Sequence, residues 1–276
     1  MQYPMGVILI TGATDGLGRA LAERLAREGE ELLLHGRNPD RLARVADELT
    51  DGYDGPAPRT FLADFADLAE VRRLAAEVRD ATDRLDVLVS NAGIGSGEPD
   101  GRDRRTSADG YELRFAVNFL AGFLLTLELL PLLRASAPAR VVNVASLGQY
   151  PLDFDDLMLE RGYDGSRAYA QSKLAQIMTG FELAARVPAS EVSVNSLHPA
   201  TYMPTKMVLQ EIGRQVDSVE DGVACTHRLA CDPALSGVTG AFFDRTREAR
   251  ANEQAYDPDA RAELWRRATE LTGPTT

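Results

Sequence analysis

Short runs rich in apolar residues alternate along this chain with longer stretches whose apolar residues return every three or four positions. The run at 7–10 is fully apolar, as a strand buried on both faces of a parallel sheet is, and the runs at 31–35, 60–63, 85–90, 140–145, 192–197 and 238–244 predict further strands. Between them, Leu17, Leu21 and Leu25 trace one helical face, as do Leu42, Val45, Ala46 and Leu49, and then Leu68, Val71, Leu74 and Val78. A long helix is expected over about 108–133, another ending near 187, and shorter ones over 219–230 and 261–271. Strand and helix in this alternation predict an α/β fold: a doubly wound parallel sheet of about seven strands with helices on both faces, a three-layer α/β/α arrangement. No repeat, low-complexity tract or composition shift divides the chain, so residues 1–276 read as a single domain. Two segments stand outside the pattern as insertions, at about 147–167 and 202–216.

The punctuation agrees with the pattern. Asn38 before Pro39 suits an N-cap followed by the first helical position. Asp67 with Glu70 reads as a capping box, which leaves Asp64 spare at the tip of the third strand.

Composition narrows the class. With 44% hydrophobic residues the chain can bury a large core, and a formal net charge of −12 argues against nucleic acid or an anionic membrane as partner. Cys225 and Cys231 lack any matching Cys/His cluster, so the expectation is no metal site, no disulfide, and ordinary thiols of a reducing compartment. The longest apolar run, 119–133, is broken by Glu128 and Pro131 and falls short of a membrane span. Residues 1–5 lead straight into a strand without the charged region and cleavage site of a signal peptide. The expectation is a soluble cytoplasmic protein whose partner is a small molecule.

Candidate chemistry gathers at strand ends. Thr11-Gly-Ala-Thr-Asp-Gly-Leu-Gly18 lies between an apolar run and a helical stripe, where glycines admit a pyrophosphate and a helix N-terminus offers free N–H groups. At the second strand's tip an acidic residue would bind a ribose diol, whereas an arginine accommodates a 2′-phosphate. Here the tip is Gly36-Arg37, with no carboxylate before Asp40. Asp64, Asn91-Ala92-Gly93 and Ser146 end the third, fourth and fifth strands, so with Gly12 they converge on one rim. Asn118 is a single amide among Phe115, Val117, Phe119 and Leu120 and needs a hydrogen-bonding reason. Tyr169 and Lys173, four apart, share a helical face, and an ammonium there favours a phenolate whose ordinary pKa is ~10. Of 30 basic residues only Lys173 and Lys206 are lysines, so the lysine at this address looks selected. The first insertion, with Tyr150, Pro151, Leu152, Phe154, Leu157 and Met158, predicts an apolar wall or lid; packing permanently on the body of the domain is the alternative.

In this order and spacing the motifs Thr11 to Gly18, Asn91-Ala-Gly93, Asn118, Ser146, Tyr169-x-x-x-Lys173 and the Pro199 turn resemble the short-chain dehydrogenase/reductase family, over essentially the whole chain. Ala108-Asp-Gly-Tyr-Glu112, the long gap from Ser146 to Tyr169 and the tail Tyr256-Asp-Pro258 with Leu264-Trp265 look like its retinol-dehydrogenase-like branch. The resemblance implies a Rossmann-type dinucleotide-binding catalytic domain, NADP(H) as cofactor with NAD(H) less favoured, and a homodimer or homotetramer. It implies Tyr169 as acid/base, Lys173 as tuner of the phenol and ribose ligand, Ser146 on the substrate oxygen and Asn118 supporting a proton relay. Cofactor contacts would come from Gly12, Thr14, Asp15, Gly16, Leu17, Gly18, Arg37, Asp64, Phe65, Asn91, Ala92, Gly93, Asn118, Tyr169, Lys173, Pro199, Ala200, Thr201 and Thr205. Substrate contacts would come from Ser146, Gly148, Tyr150, Phe154, Tyr169 and Tyr202. Three departures stand out: Pro199-Ala200 replaces the usual Pro-Gly, Thr205 falls one residue late, and Asp15 opposes a 2′-phosphate. A non-redox cyclase or epimerase, or a nucleotide-sensing regulator on the same fold, are the rival readings; the regulator fits less well, since it would be expected to lack the tyrosine or lysine.

Overall fold

The computed structural model describes residues 6–96, 103–204, 209 and 215–275. Among the described residues, eight strands form one sheet: β1 (Val7–Ile10), β2 (Glu31–Gly36), β3 (Arg59–Leu62), β4 (Val87–Ser90), β5 (Ala139–Val144), β6 (Val192–His198), β7 (Phe242–Asp244) and β8 (Arg247–Ala249). Their order is β3-β2-β1-β4-β5-β6-β7-β8. Neighbours are parallel except β7 and β8, a short antiparallel hairpin. The expected seven strands therefore become eight, because β8 is only Arg-Glu-Ala and carries no apolar signal. Among the described residues the α-helices that frame the sheet are α1 (Gly16–Glu28), α2 (Pro39–Gly52), α3 (Leu68–Ala81), α4 (Leu113–Ala135), α5 (Gly165–Arg186), α6 (Val219–Cys231) and α7 (Pro258–Thr272).

Alternate residues of the same strands feed two cores, which is why β1 reads as an unbroken apolar run. Leu9, Leu33, Leu88, Val141 and Val194 face α3, α4, α5 and α7. Ile8, Ile10, Leu32, Leu34, Val89, Val142 and Val144 face α1, α2 and α6. Strand order reverses between β1 and β4, so the crevice at their carboxyl ends is where such a sheet binds a ligand.

Capping fixes where helices begin. Asp15, Asn38, Asp67, Asp164, Ser218 and Asp257 each accept a backbone N–H at a helix start. The expected Asp67/Glu70 box does not form. Asp67 caps Ala69 N, while Glu70 Oε2 takes the N–H of Asp64 at 2.6 Å and so steadies the β3 tip. A reciprocal box occurs instead at Ser218 and Asp221.

Helix α4 starts at Leu113 rather than 108, because Gly110 turns the chain at φ 85° and Thr106 bridges Glu112. Its stretch Ala116–Leu120 is π-helical, a distortion that often marks a functional site. By length and composition Leu113–Ala135 could cross a membrane, yet 72% of its most apolar window is buried within the fold. It is a core helix: Glu128, 1% exposed, takes Arg72 at 2.5 Å and Arg79 at 3.1 Å from α3. Trp265 of α7 meets Phe123 edge-on at 5.0 Å and closes the other side.

The first insertion is largely fastened down. Leu152, Leu157 and Leu159 are buried, Phe154 and Met158 pack on the core, and Gln171 Nε2 donates to Leu157 O at 2.8 Å. Of the substrate contacts expected there, Phe154 is thus turned to the core, and its carbonyl accepts from Arg267. Leu147 and Tyr150 remain exposed at 47% each.

Candidate active site

The turn after β1 must be glycine-built. Gly12 holds φ 68°, and a Cβ there would lie 2.9 Å from Ala92 Cα; a Cβ on Gly18 would lie 2.3 Å from Gly12 O. The first turn of α1 is thereby pressed against the loop, as a dinucleotide turn requires. Thr11, missed as a functional residue by the sequence reading, is its hub. Thr11 Oγ1 donates to Val89 O and accepts from Asn91 N and Ala92 N, while Asn91 Nδ2 donates to Thr11 O and Gly12 O. Asn91 therefore locks β4 to the β1 turn.

Gly36 packs closely as well: a Cβ would meet the Thr14 side chain at Cγ2, 2.6 Å away, so β2 tucks under the turn and brings Thr14 beside the strand tip. Arg37 follows in the exposed position just beyond. Asp15 accepts from Gly16 N and lies 3.7 Å from Arg41. Its charge is thus shared by a cap and a second arginine that the sequence reading passed over. Asp64 Oδ1 accepts from Ala66 N in a side-chain turn, and Phe65 beside it is buried. Leu17 is buried in the core beneath α1, and Gly16 opens that helix.

Around the crevice's centre, Asn118, Lys173 and Gly93 meet. A Cβ on Gly93 would lie 3.2 Å from Asn118 Oδ1 and 3.6 Å from Lys173 Nζ, so only glycine leaves this space open. Asn118 Oδ1 accepts from Ile94 N at 2.7 Å, and Nδ2 donates to Ile94 O and to Ser172 Oγ at 3.0 Å each. Ser172 Oγ in turn donates to Tyr169 O at 2.7 Å. The π-helical turn of α4 thus delivers an amide that ties the β4 loop to the turn of α5 bearing Tyr169.

Lys173 Nζ lies 5.9 Å from the centre of the Tyr169 ring. It donates to Val144 O at 2.8 Å and, at 3.5 Å, to Gln176 Oε1. Gln176 Nε2 continues the chain to Ser90 O at 3.3 Å. Burial without a carboxylate partner among the described residues pulls the Lys173 pKa down from 10.5 to about 8. A buried ammonium held by carbonyls costs stability.

Ser146 leaves β5 two residues beyond Val144, half-buried, with Oγ accepting from Gly148 N at 3.0 Å. Its loop is braced from far along the chain. Gln149 Nε2 donates to Ser146 O, Gln149 Oε1 accepts from Asn252 N, and Gln254 pairs both ways with the Leu152 backbone. Tyr150 N donates to Ala170 O, which sets Tyr150 next to the Tyr169 turn.

After β6, Pro199 and Ala200 are buried, and Thr201 is clamped: its N–H donates to Asp217 Oδ2 at 2.6 Å and its hydroxyl meets His198 Nε2 at 3.0 Å. Arg245 holds Asp217 at 2.5 Å. Tyr202 follows with φ 46° and is 38% exposed. Thr205 lies outside the described residues, as does much of the second insertion.

A glycine cradle at the sheet's switch point, beside a tyrosine, a buried lysine, a serine and an amide, defines an enzyme that binds a nicotinamide dinucleotide and works on an alcohol or carbonyl group. Residues 6–215 match the short chain dehydrogenase family, and the chain belongs to it. Within that family it is similar to mouse retinol dehydrogenase 14, 35% identical over 94% of this chain and 83% of that one. It is also similar to a Streptomyces sp. (strain C5) protein named "Putative daunorubicin C-13 ketoreductase DnrU", 36% identical over 99% and 94% of the two chains. The crystal structure of an Escherichia coli CFT073 short chain dehydrogenase complexed with NADPH superimposes with a TM-score of 0.71 at 27% identity, covering 90% of this chain and 100% of that one.

Proposed function

We propose that the protein is an NADP(H)-dependent carbonyl reductase or alcohol dehydrogenase whose substrate is a bulky, mainly apolar ketone or secondary alcohol. The observation that carries this reading is the buried Lys173 ammonium, set against Gly93 and Asn118 and 5.9 Å from the Tyr169 ring. A bound nicotinamide supplies or accepts the hydride. Tyr169 passes the phenolic proton to the oxygen of the substrate carbonyl, or takes it back from the alcohol. Ser146, whose hydroxyl is positioned at the β5 tip by Gly148 N, donates a hydrogen bond to the same oxygen. Lys173 keeps positive charge beside the phenol, which favours the phenolate left after proton transfer. Asn118 fixes the turn of α5 on which Tyr169 sits, through Ser172.

Preference for the 2′-phosphate rests on Arg37 at the β2 tip, with Arg41 engaging Asp15, the carboxylate that would otherwise repel that phosphate. An apolar substrate is supported by where exposed apolar surface lies. Leu147 and Tyr150 follow β5, Tyr202, Leu209 and Val216 follow β6, and these five stand beside only two other large exposed hydrophobics among the described residues. The ketoreductase named among its relatives fits the same direction. The test is loss of NADPH absorbance at 340 nm with a panel of aromatic, terpenoid and small aliphatic ketones. Stoichiometric NADPH oxidation and alcohol formation is the expected result; substrate conversion without cofactor oxidation would move the assignment to a cyclase or epimerase.

A further inference from the structure

His35, the fifth residue of β2, lies beneath the cofactor turn and is 2% exposed. Its backbone carbonyl accepts from Ala13 N at 2.9 Å. Its ring spans two elements. Nδ1 accepts the N–H of Gly12 at 3.3 Å, and Nε2 meets Ala63 O at 3.1 Å. The ring also stacks on Phe65, centroids 4.3 Å apart and 14° from parallel. One tautomer satisfies both contacts: Nε2 carries the hydrogen and donates to Ala63 O, leaving the Nδ1 lone pair for Gly12. Burial favours the neutral ring that this requires, holding the pKa near 4 against the opposing pull of Asp64.

We propose that His35 is a positioning residue for the cofactor, a pin that holds the glycine turn after β1 to the tip of β3. The inference rests on the dinucleotide-binding reading given above. Gly12 needs the pin because its φ of 68° is held in a cleft where even a Cβ would strike Ala92. Its amide would otherwise be one of the groups at the turn left to choose between water and ligand. The other end of the pin, Ala63, directly precedes Asp64 and Phe65, two of the cofactor contacts that the family resemblance implies. A single ring therefore sets the spacing between the glycine turn after β1 and the tip of β3. No side chain lacking both an acceptor and a donor at these positions can do so. The stack on Phe65 keeps the ring plane fixed, so the spacing is set by rigid parts.

The experiment compares the full-length protein with His35→Leu, which has neither polar atom, and His35→Asn, whose side-chain oxygen can stand near Nδ1. NADPH affinity is measured by titration, and backbone hydrogen exchange of the segment containing Gly12 and Ala13 is followed without cofactor. His35→Leu is expected to weaken NADPH binding at least tenfold and to raise its KM in parallel, while kcat at saturating cofactor stays within threefold. Exchange in the turn should quicken at least tenfold without cofactor; His35→Asn, which restores the contact to Gly12 but not the one to Ala63, should recover the turn exchange and only part of the affinity. NADPH affinity and turn exchange both within twofold of the parent in His35→Leu would overturn the proposal. If the parent protein binds no dinucleotide, the reading it rests on fails, while the exchange measurement still decides whether the pin exists. Should His35→Leu not fold, His35→Asn and His35→Gln decide between them: equal turn exchange and affinity in both would count against an Nδ1-specific contact.

Discussion

Lys173→Met separates what this lysine costs the fold from what it gives the reaction. Methionine fills similar volume without a charge. The fall of the lysine pKa from 10.5 to about 8 corresponds, at 1.36 kcal/mol per pH unit, to about 3 kcal/mol spent on keeping the ammonium buried. Against that stands the hydrogen bond to Val144 O at 2.8 Å, whose loss costs about 1–3 kcal/mol if the carbonyl finds no other donor. The variant should thus equal or exceed the parent in stability at pH 7, by up to about 2 kcal/mol. The sign of the pH dependence is a sharper test. Between the folded pKa of about 8 and the unfolded value near 10.5, the unfolded chain binds a proton that the folded chain has shed, so parent stability rises with pH across that window. Below pH 8 the burial cost is present in full, and above pH 10.5 it is gone. Denaturant unfolding of both proteins from pH 6 to 10.5 should show the difference curve climbing in the parent's favour by up to about 3 kcal/mol, even as the variant loses turnover and cofactor affinity. Parallel curves, or a variant more than about 2 kcal/mol less stable at pH 7, would refute the reasoning and make Lys173 a structural residue.

Tyr169→Phe should lower kcat by about 10²–10⁴-fold and leave NADPH affinity within a few-fold, measured by initial rates and titration; a loss under tenfold would remove Tyr169 from proton transfer. Arg37→Ala should weaken NADPH by about 10–100-fold, the worth of a charge-assisted bond, and NADH hardly at all. Equal losses in competitive binding would show that Arg37 does not read the 2′-phosphate. Glu128→Ala strips the buried acid from Arg72 and Arg79 and should destabilise by about 3 kcal/mol in chemical denaturation, with kcat/KM unchanged in the surviving fold. If the exposed rim of Leu147, Tyr150 and Tyr202 receives substrate, hydrogen exchange there should slow when substrate joins the cofactor-bound enzyme, whereas Leu152 and Leu157 should be protected in every state.

The repeating architecture was legible in the chain because strand and helix periodicities are local. Buried strands at 7–10 and 192–197, stripes such as Leu42, Val45 and Leu49, and caps such as Asn38 owe nothing to distant residues. The site's address was legible for the same reason: Gly12, Asn91, Asn118, Ser146, Tyr169 and Lys173 each stand at a strand end or on a helix whose limits neighbours decide. Tertiary structure decided what those residues touch. Nothing local shows that Glu70 serves Asp64 rather than Asp67, that Phe154 packs inward, or that Asn252, 103 residues beyond Gln149, braces Ser146 through it. The π-helical turn that aims Asn118 at Ile94 and Ser172 is likewise invisible in a sequence of ordinary apolar residues. His35 looked like the last residue of a strand because its two ring contacts, Gly12 and Ala63, lie 23 and 28 residues away in sequence. Hydrophobic periodicity is set turn by turn, but hydrogen-bond partners and the cost of burying a charge depend on which elements the sheet brings side by side.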